Sequence, residues 1–469
     1  MSRTLALFLW LGTLTAAAPG PVIHTNSEAA LRKALARGTG IIELPHGGTE
    51  LHRSLEIPSG AKDLEIRGNP GGSLLSMSRD FLGPAVLVAA NASGLTLSNF
   101  EIRGNREWLR SGLGLPPGEV PFADFYSDNA ILIRKCAQVR IRAIFLLRIP
   151  GFAVLVNASS GVTIDGLTIE DSGTLNSQER NNTTGGILIE EGASEFTVRN
   201  CKIRRVLGNG IWTHSYQASP RNRNGQITGN FISTVARDAI QVGHATGVRV
   251  DHNNGEQIGF PASYVDVEGK GIPVALDTAG NVERSFYADN HFADVNGQCI
   301  DLDGFHDGDV TGNSCVNRKP IDAYPNLHEG IVFGNTNPGM NSMNVLVSRN
   351  RIEGFAYGGL YLIGSGERIL DNDFLDINRA HCTGDMSRPR CNYAPNEPGL
   401  LRSGIYLGKS GGRPADTHEN VIRNNLINGF GMDKWCIEAA PGVDLSRNVI
   451  ELNRCQSPQP ALGPTARKK

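Results

Sequence analysis

Neither sign of charge dominates this chain: its 469 residues carry a formal net charge of −2 at pH 7. With no charge excess to recruit them, nucleic acid and anionic membrane are not expected as partners. The one basic cluster, Arg467, Lys468 and Lys469, sits at the terminus. Beyond the N-terminal segment no apolar run is long enough to span a bilayer, so no membrane association is expected. The chain also has no serine nucleophile elbow, phosphate loop or dinucleotide fingerprint. Those absences remove the commonest routes to acyl transfer, phosphoryl transfer and hydride transfer.

The ends and the cysteines are informative. Arg3, the apolar run Leu5 to Leu14 and the small residues through Ala18 form an export signal over 1–18. The expected mature protein is secreted or periplasmic. Ser27 to Ala36 has a Ser N-cap followed by Leu31 and Leu35 at helical spacing. It is read as a cap helix within an N-terminal segment over 19–40. A β-solenoid follows over 41–455, then a flexible tail over 456–469. Eight cysteines suit an oxidising compartment. The expected pairs are Cys299 with Cys315, Cys382 with Cys391 and Cys436 with Cys455, leaving Cys136 and Cys201 as buried thiols. Sequons stand at Asn91, Asn157, Asn181 and Asn182.

What the chain has in abundance is 56 glycines and one recurring pattern: apolar, polar, apolar, polar, Asn, any residue, apolar. It reads Gln226-Ile-Thr-Gly-Asn230-Phe-Ile232, Phe286-Tyr-Ala-Asp-Asn290-His-Phe292, Leu346-Val-Ser-Arg-Asn350-Arg-Ile352 and Leu445-Ser-Arg-Asn448-Val-Ile450. Period-two alternation means strands with one buried face. Asn is expected there because it tolerates the left-handed backbone of a sharp bend, and stacked amides bond along a column. A second strand type, opened by Gly or Ala, precedes each copy: Gly186-Ile-Leu-Ile189, Gly210-Ile-Trp-Thr213, Gly271-Ile-Pro-Val274 and Gly330-Ile-Val-Phe333 among them. The reading is an all-β, single-domain, right-handed parallel β-helix of about twelve coils with an N-terminal cap helix.

A cap helix, a Gly-Ile-x-Val strand and an x-Val-x-x-Asn-x-Ile strand together resemble the pectate-lyase-like right-handed β-helix superfamily over about residues 25–455. That resemblance implies a carbohydrate-active protein: a polysaccharide lyase, a glycoside hydrolase, a uronan epimerase, or a non-catalytic adhesin or tail spike. Fold alone does not choose among them.

With the Ile of each Gly-Ile strand inward, the second and fourth residues line an outer face suited to a polymer. On that face, or near it, fall Glu190, Trp212, His214, Gln241, His244, Asp277, Asp301, Asp303, Asn335 and Tyr361. Asp301 and Asp303 lie two apart on a strand, so their backbones are about 6–7 Å apart on one side. Close carboxylates cannot both ionise freely, so one serves as general acid, and Asp277 one coil earlier supplies the base. Working carboxyls about 6.5–9.5 Å apart would fit inversion at the anomeric carbon. Asp277, Asp301, Asp303 and His328 loosely resemble the carboxylate trio and following histidine of polygalacturonase-type hydrolases. The Gly-His-Gly and Arg-Ile-Lys motifs are absent, however, and the Asp residues alternate where the family has them adjacent. Trp212 is a candidate sugar platform. His214, His244, His306 and His328 are candidate bases for the alternative, a lyase or C5-epimerase on a uronic-acid polymer, with Lys319, Arg318 or Tyr324 neutralising the uronate or giving the proton. No cofactor is expected. A calcium site from Asp301, Asp303, Asp307 and Asp309 stays open, as does a zinc site from His306, Asp307 and His328, which lacks a recognisable ligand spacing. The expected partner is a polysaccharide or oligosaccharide. Insertions near 105–128, 172–184 and 378–402 are expected to shape its groove.

Overall fold

Alternating residues give this chain strands with one apolar edge, and the apolar edges all point into one cylinder. In the computed structural model, which describes residues 21–109, 114–266 and 271–457, every named ladder is parallel and the coils stack their strands in three columns, with Gly47–Ile57 and Ser73–Ala90 each running through two of them. The signal-peptide segment 1–18 and most of the expected tail lie outside the described residues.

A first stack of fifteen strands runs from Val22–His24 to Val449–Glu451. A second runs through Glu101–Arg103, Thr168–Glu170, His291–Val295 and Arg454–Gln456. The third holds the Gly-Ile strands, including Ile187–Glu190, Ile211–His214, Ile240–Thr246, Val274–Glu283, Gln298–His306 and Ile331–Gly334. Down its inner side Ile187, Ile211, Ile240, Leu276, Ile300 and Ile331 sit in register, all buried. Each such side chain contributes roughly 1.5–3 kcal/mol by leaving water. The helix Glu28–Leu35 covers the first coil with Leu31, Ala34 and Leu35, and the Ser27 hydroxyl accepts from the Ala30 amide at 3.3 Å. Disulfides join Cys299 to Cys315, Cys382 to Cys391 and Cys436 to Cys455, and Cys136 and Cys201 are buried thiols.

Of the two jobs expected of the repeated asparagines, they do one: their stacked amides form the column, while the bend falls to another residue. The left-handed residue at the bend is the one before: Gly229, His252, Asp289, Gly312, Arg349, Asp371 and Asn424 have φ between 52° and 68°. The asparagines that follow, 230, 253, 290, 313, 350, 372 and 425, form a continuous ladder. Asn290 is typical. Its Oδ1 accepts from the main-chain N and the Nδ2 of Asn253 at 3.1 and 2.9 Å, and its own Nδ2 donates to the Val250 carbonyl. In two coils Asn99 and Asn200 occupy the left-handed place and Phe100 and Cys201 the ladder place. Asn448 belongs to neither: Leu445–Arg447 is a 3₁₀ turn, and Asn448 caps another corner by accepting from the Asn420 amide.

One strand starts later than the Gly-Ile pattern places it. Gly271-Ile-Pro precedes the ladder, and Leu276, in the place expected for Ile272, fills the inner column. Proline 273 has no N–H to give to a ladder, and its carbonyl instead accepts from the Gln298 amide at 2.9 Å. The delay sets Asp277 directly between Gln241 and Asp301.

Candidate functional site

The outer column of the third stack changes character along the solenoid. It reads Val88, Leu132, Leu155, Leu188, Trp212, then Gln241, Asp277, Asp301, then Val332, Tyr361, Tyr406. The apolar N-terminal part is covered. The 105–128 insertion lays Phe122, Ala123 and Tyr126 on it, burying Leu132, Leu155, Leu188 and Trp212 in a second apolar cluster. Glu190 fastens this cover: its carboxylate accepts from the amides of Phe122 and Ala123 and from Asn157 Nδ2 at 2.8–2.9 Å. Burial raises the Glu190 carboxyl to about 7.

Two expected substrate contacts are thereby corrected. Trp212 is 6% exposed, with Phe122 edge-on at 4.9 Å, so its ring packs under the insertion instead of facing a sugar. Glu190 is fully buried and holds backbone. The same reason removes others from the groove surface. Asn335 is buried, and its Oδ1 accepts from the Gly411 and Arg413 amides. Tyr361 is stacked on Tyr406, and its hydroxyl donates to the Ser410 carbonyl. Lys319 and Tyr324 lie off the third stack, both bonded to Asp294 of the second. Arg318 is 3.6 Å from Glu353. His306 sits past the bulge at the strand end, 3.7 Å from Glu283. His328 is buried at the corner before its strand, against Glu329 and edge-on to Tyr357 and Tyr393.

Between the covered stretches the column turns polar: Gln241 and Asp277 are buried, and Asp301 and Asp303 are half-buried. Asp238, at the corner leading into its strand, accepts from the Val274 amide at 2.9 Å and lies 3.6 Å from Arg237. Asn209 Nδ2 donates to Gln241 at 2.8 Å, and Gln241 Nε2 donates to Asp277. Asp301 follows one coil on; its Oδ1 is buried without a hydrogen-bond partner. Asp303, two residues further, has a different environment: the Thr336 amide donates to it at 2.9 Å and the Thr336 hydroxyl also donates. Burial raises all four carboxyls, Asp238 to about 6 and Asp277 and Asp301 well above the ordinary range, with like charge from Asp238 adding to both.

Asp303 also forms a wall of a cleft of about 740 Å³ whose other walls include His214, His244, Arg221, Glu119 and the 336–340 loop. Burial holds His214 down at about 4 and lowers His244, so both imidazoles are neutral at neutral pH. The structure thus brings together Gln241, Asp277, Asp301, Asp303, His214 and His244 of the residues chosen from sequence. It adds Asp238, Arg221, Glu119 and Thr336. Asp238 had a legible signal: a polar residue stands two before the inward isoleucine at Asn209, Asp238 and Glu329 alike.

The acidic run does not gather into one ion site. Asp301 and Asp303 share the outer face, but Asp307 sits at the bend, accepting from Asn344, and Asp309 belongs to the first stack. His306 and His328 stand at opposite ends of their strands. Among the described residues, one atom each from Glu190, Glu191 and His214 lie within 4.8 Å of one another, but the Glu190 oxygens already accept three donors.

Residues 85–281 match the family model described as right handed beta helix region. No curated protein sequence matches the chain. Among solved structures, the surface adhesin PfbA of Streptococcus pneumoniae is similar with TM-score 0.56 and 15% identity, over 75% of this chain and 86% of that one. An exopolygalacturonase from Thermotoga maritima is similar with TM-score 0.54 and 12% identity, over 77% and 92%. The Dettilon tailspike protein is similar with TM-score 0.52 and 13% identity, over 89% and 68%. These likenesses establish the right-handed parallel β-helix fold.

Proposed function

We propose that the chain is an exported glycoside hydrolase acting on a polysaccharide at the open stretch of the third stack. The observation that carries this reading is the switch of one outer column from apolar to Gln241, Asp277 and Asp301, beside a cleft that Asp303 walls. Buried carboxylates stacked one coil apart cannot all ionise, so protons are shared among them at neutral pH. Asp301, with no donor on Oδ1, takes the acid role and protonates the leaving glycosidic oxygen. Asp303, stabilised as carboxylate by two donors from Thr336, removes a proton from the attacking water, whose oxygen bonds to the anomeric carbon. Burial, with like charge from Asp303 and Asp238, sustains the raised acid. Three disulfides suit an oxidising compartment, and among the described residues no helix is long and apolar enough to cross a membrane. The uronan lyase or epimerase reading is weakened, because Lys319, Arg318 and Tyr324 are engaged elsewhere.

The test is a glycan panel read for reducing ends and for near-ultraviolet absorbance. New reducing ends without absorbance, lost by about 10²-fold or more in Asp301→Asn and Asp303→Asn, are expected. An unsaturated product would overturn hydrolysis; full activity in both variants would overturn the carboxylate assignment. Binding without turnover across the panel would make the chain a glycan-binding protein.

A further inference from the structure

We propose that this groove takes an uncharged glycan and excludes polyuronates and sulfated glycans; the inference rests on the reading of the third-stack groove as the glycan site.

The fixed charges of the site are negative. Asp303 and Glu119 form walls of the cleft; beside it Asp277 and Asp301 stack one coil apart, with Asp238 at the corner leading into Ile240–Thr246, and the protons these share leave no positive charge there. The cations that could offset a bound anion are already engaged. Arg221, the one arginine lining the cleft among the described residues, lies 3.5 Å from Glu283. Arg237 lies 3.6 Å from Asp238. Lys319 bonds Asp294 at 2.6 Å on another stack. His214 and His244 enter the cleft as neutral rings, since burial disfavours their protonated forms. They donate and accept hydrogen bonds but neutralise nothing. The remaining lining supplies hydroxyl and amide groups, from Ser215, Gln217, Ser219, Asn281 and Asn337. Such groups match sugar hydroxyls.

A uronate or sulfate entering here would shed its water against carboxylates with no unpaired cation to replace it, which is unfavourable. A neutral hexose unit leaves only hydroxyls to satisfy, and the cleft has partners for those. The exclusion therefore comes from repulsion built into the machinery, a common source of specificity.

The experiment uses matched polymers with identical linkages: a polyuronate and its carboxyl-reduced form, and a sulfated glycan and its desulfated form, with several linkages of each. Binding and product formation are measured with the full chain at low salt, and binding also with Asp303→Asn. The expected result is at least a tenfold preference for the uncharged member of each bound pair, and tighter polyuronate binding by Asp303→Asn than by the native chain. A native preference for the charged member overturns the inference and leaves hydrolysis standing. Preference for the uncharged member without any cleavage overturns hydrolysis and upholds the inference. Binding to no polymer on the panel overturns both.

Discussion

At the residue scale, side chains of one outer column have opposite fates. Trp212 and Asp301 occupy the same outer column, yet one is core and the other is site. Trp212→Ala is expected to cost about 3–5 kcal/mol, because it empties a packed aromatic contact, and to leave glycan affinity unchanged. Thermal unfolding and glycan binding check this; unchanged stability with weakened binding would return the ring to the groove. Glu190 gives a second residue-scale prediction. Its folded-state value of about 7 stands above 4.5. Below 4.5 it is neutral in both states, so its contribution is fullest there. As pH rises from 4.5 through 7, only the unfolded chain ionises at first, and stability falls by on the order of 3 kcal/mol before levelling. Thermal unfolding of Glu190→Gln across that range should lack this slope. Of the sequons, Asn157, Asn181 and Asn182 are buried and only Asn91 is exposed, so folding leaves Asn91 as the accessible acceptor.

At the scale of the element, the asparagine ladder is a shared structure. Every member satisfies the coil before it and is satisfied by the coil after it. Asn313 accepts from Asn290 and donates to Asn350 and to the Tyr287 carbonyl. Asn313→Ala leaves several buried groups unpaired and should cost about 2–4 kcal/mol, at roughly 1–3 kcal/mol per unsatisfied group. Asn453→Ala, at the last described rung, breaks contacts in a half-buried place and should cost about half as much or less. Denaturant unfolding of the pair checks the gradient; equal costs would mean the ladder does not act cooperatively. The insertion over 105–128 is the other element with a defined physical role. It closes the apolar half of the outer face and thereby fixes where the groove begins.

At the scale of the whole molecule, the carboxylates of successive coils titrate together. The proposed hydrolysis needs Asp301 protonated and Asp303 ionised, so the rate should fall on both sides of an optimum. Asp238 helps raise Asp301 by like charge. Asp238→Asn keeps an acceptor for the Val274 amide but removes that charge, so Asp301 loses its proton at lower pH. The alkaline limb of kcat/KM should move toward acid while the acid limb stays. An unmoved alkaline limb would separate Asp238 from the acid, and a change in KM alone would make it structural.

How much was legible in the sequence follows from the range of the forces involved. Period-two alternation, the recurring Asn and the cysteine spacings are local, and they determined strands, coils, bends and disulfide partners. Parity also put Asp301 and Asp303 on the outward face of their strand, whereas Asp277 was read only as near it. Local pattern misassigned the left-handed bend to Asn itself, since adjacent residues divide the two tasks of turning and bonding. It started the strand at 271–274 too early, because a Gly-Ile pair does not reveal that the proline after it withholds a donor. The tertiary structure alone decided which outward residues meet solvent. Trp212, Glu190 and Tyr361 have the same parity as Asp301, but segments distant in sequence lie over them or bond to them. Parity says which way a side chain points; only packing of remote segments says whether water, substrate or protein waits there.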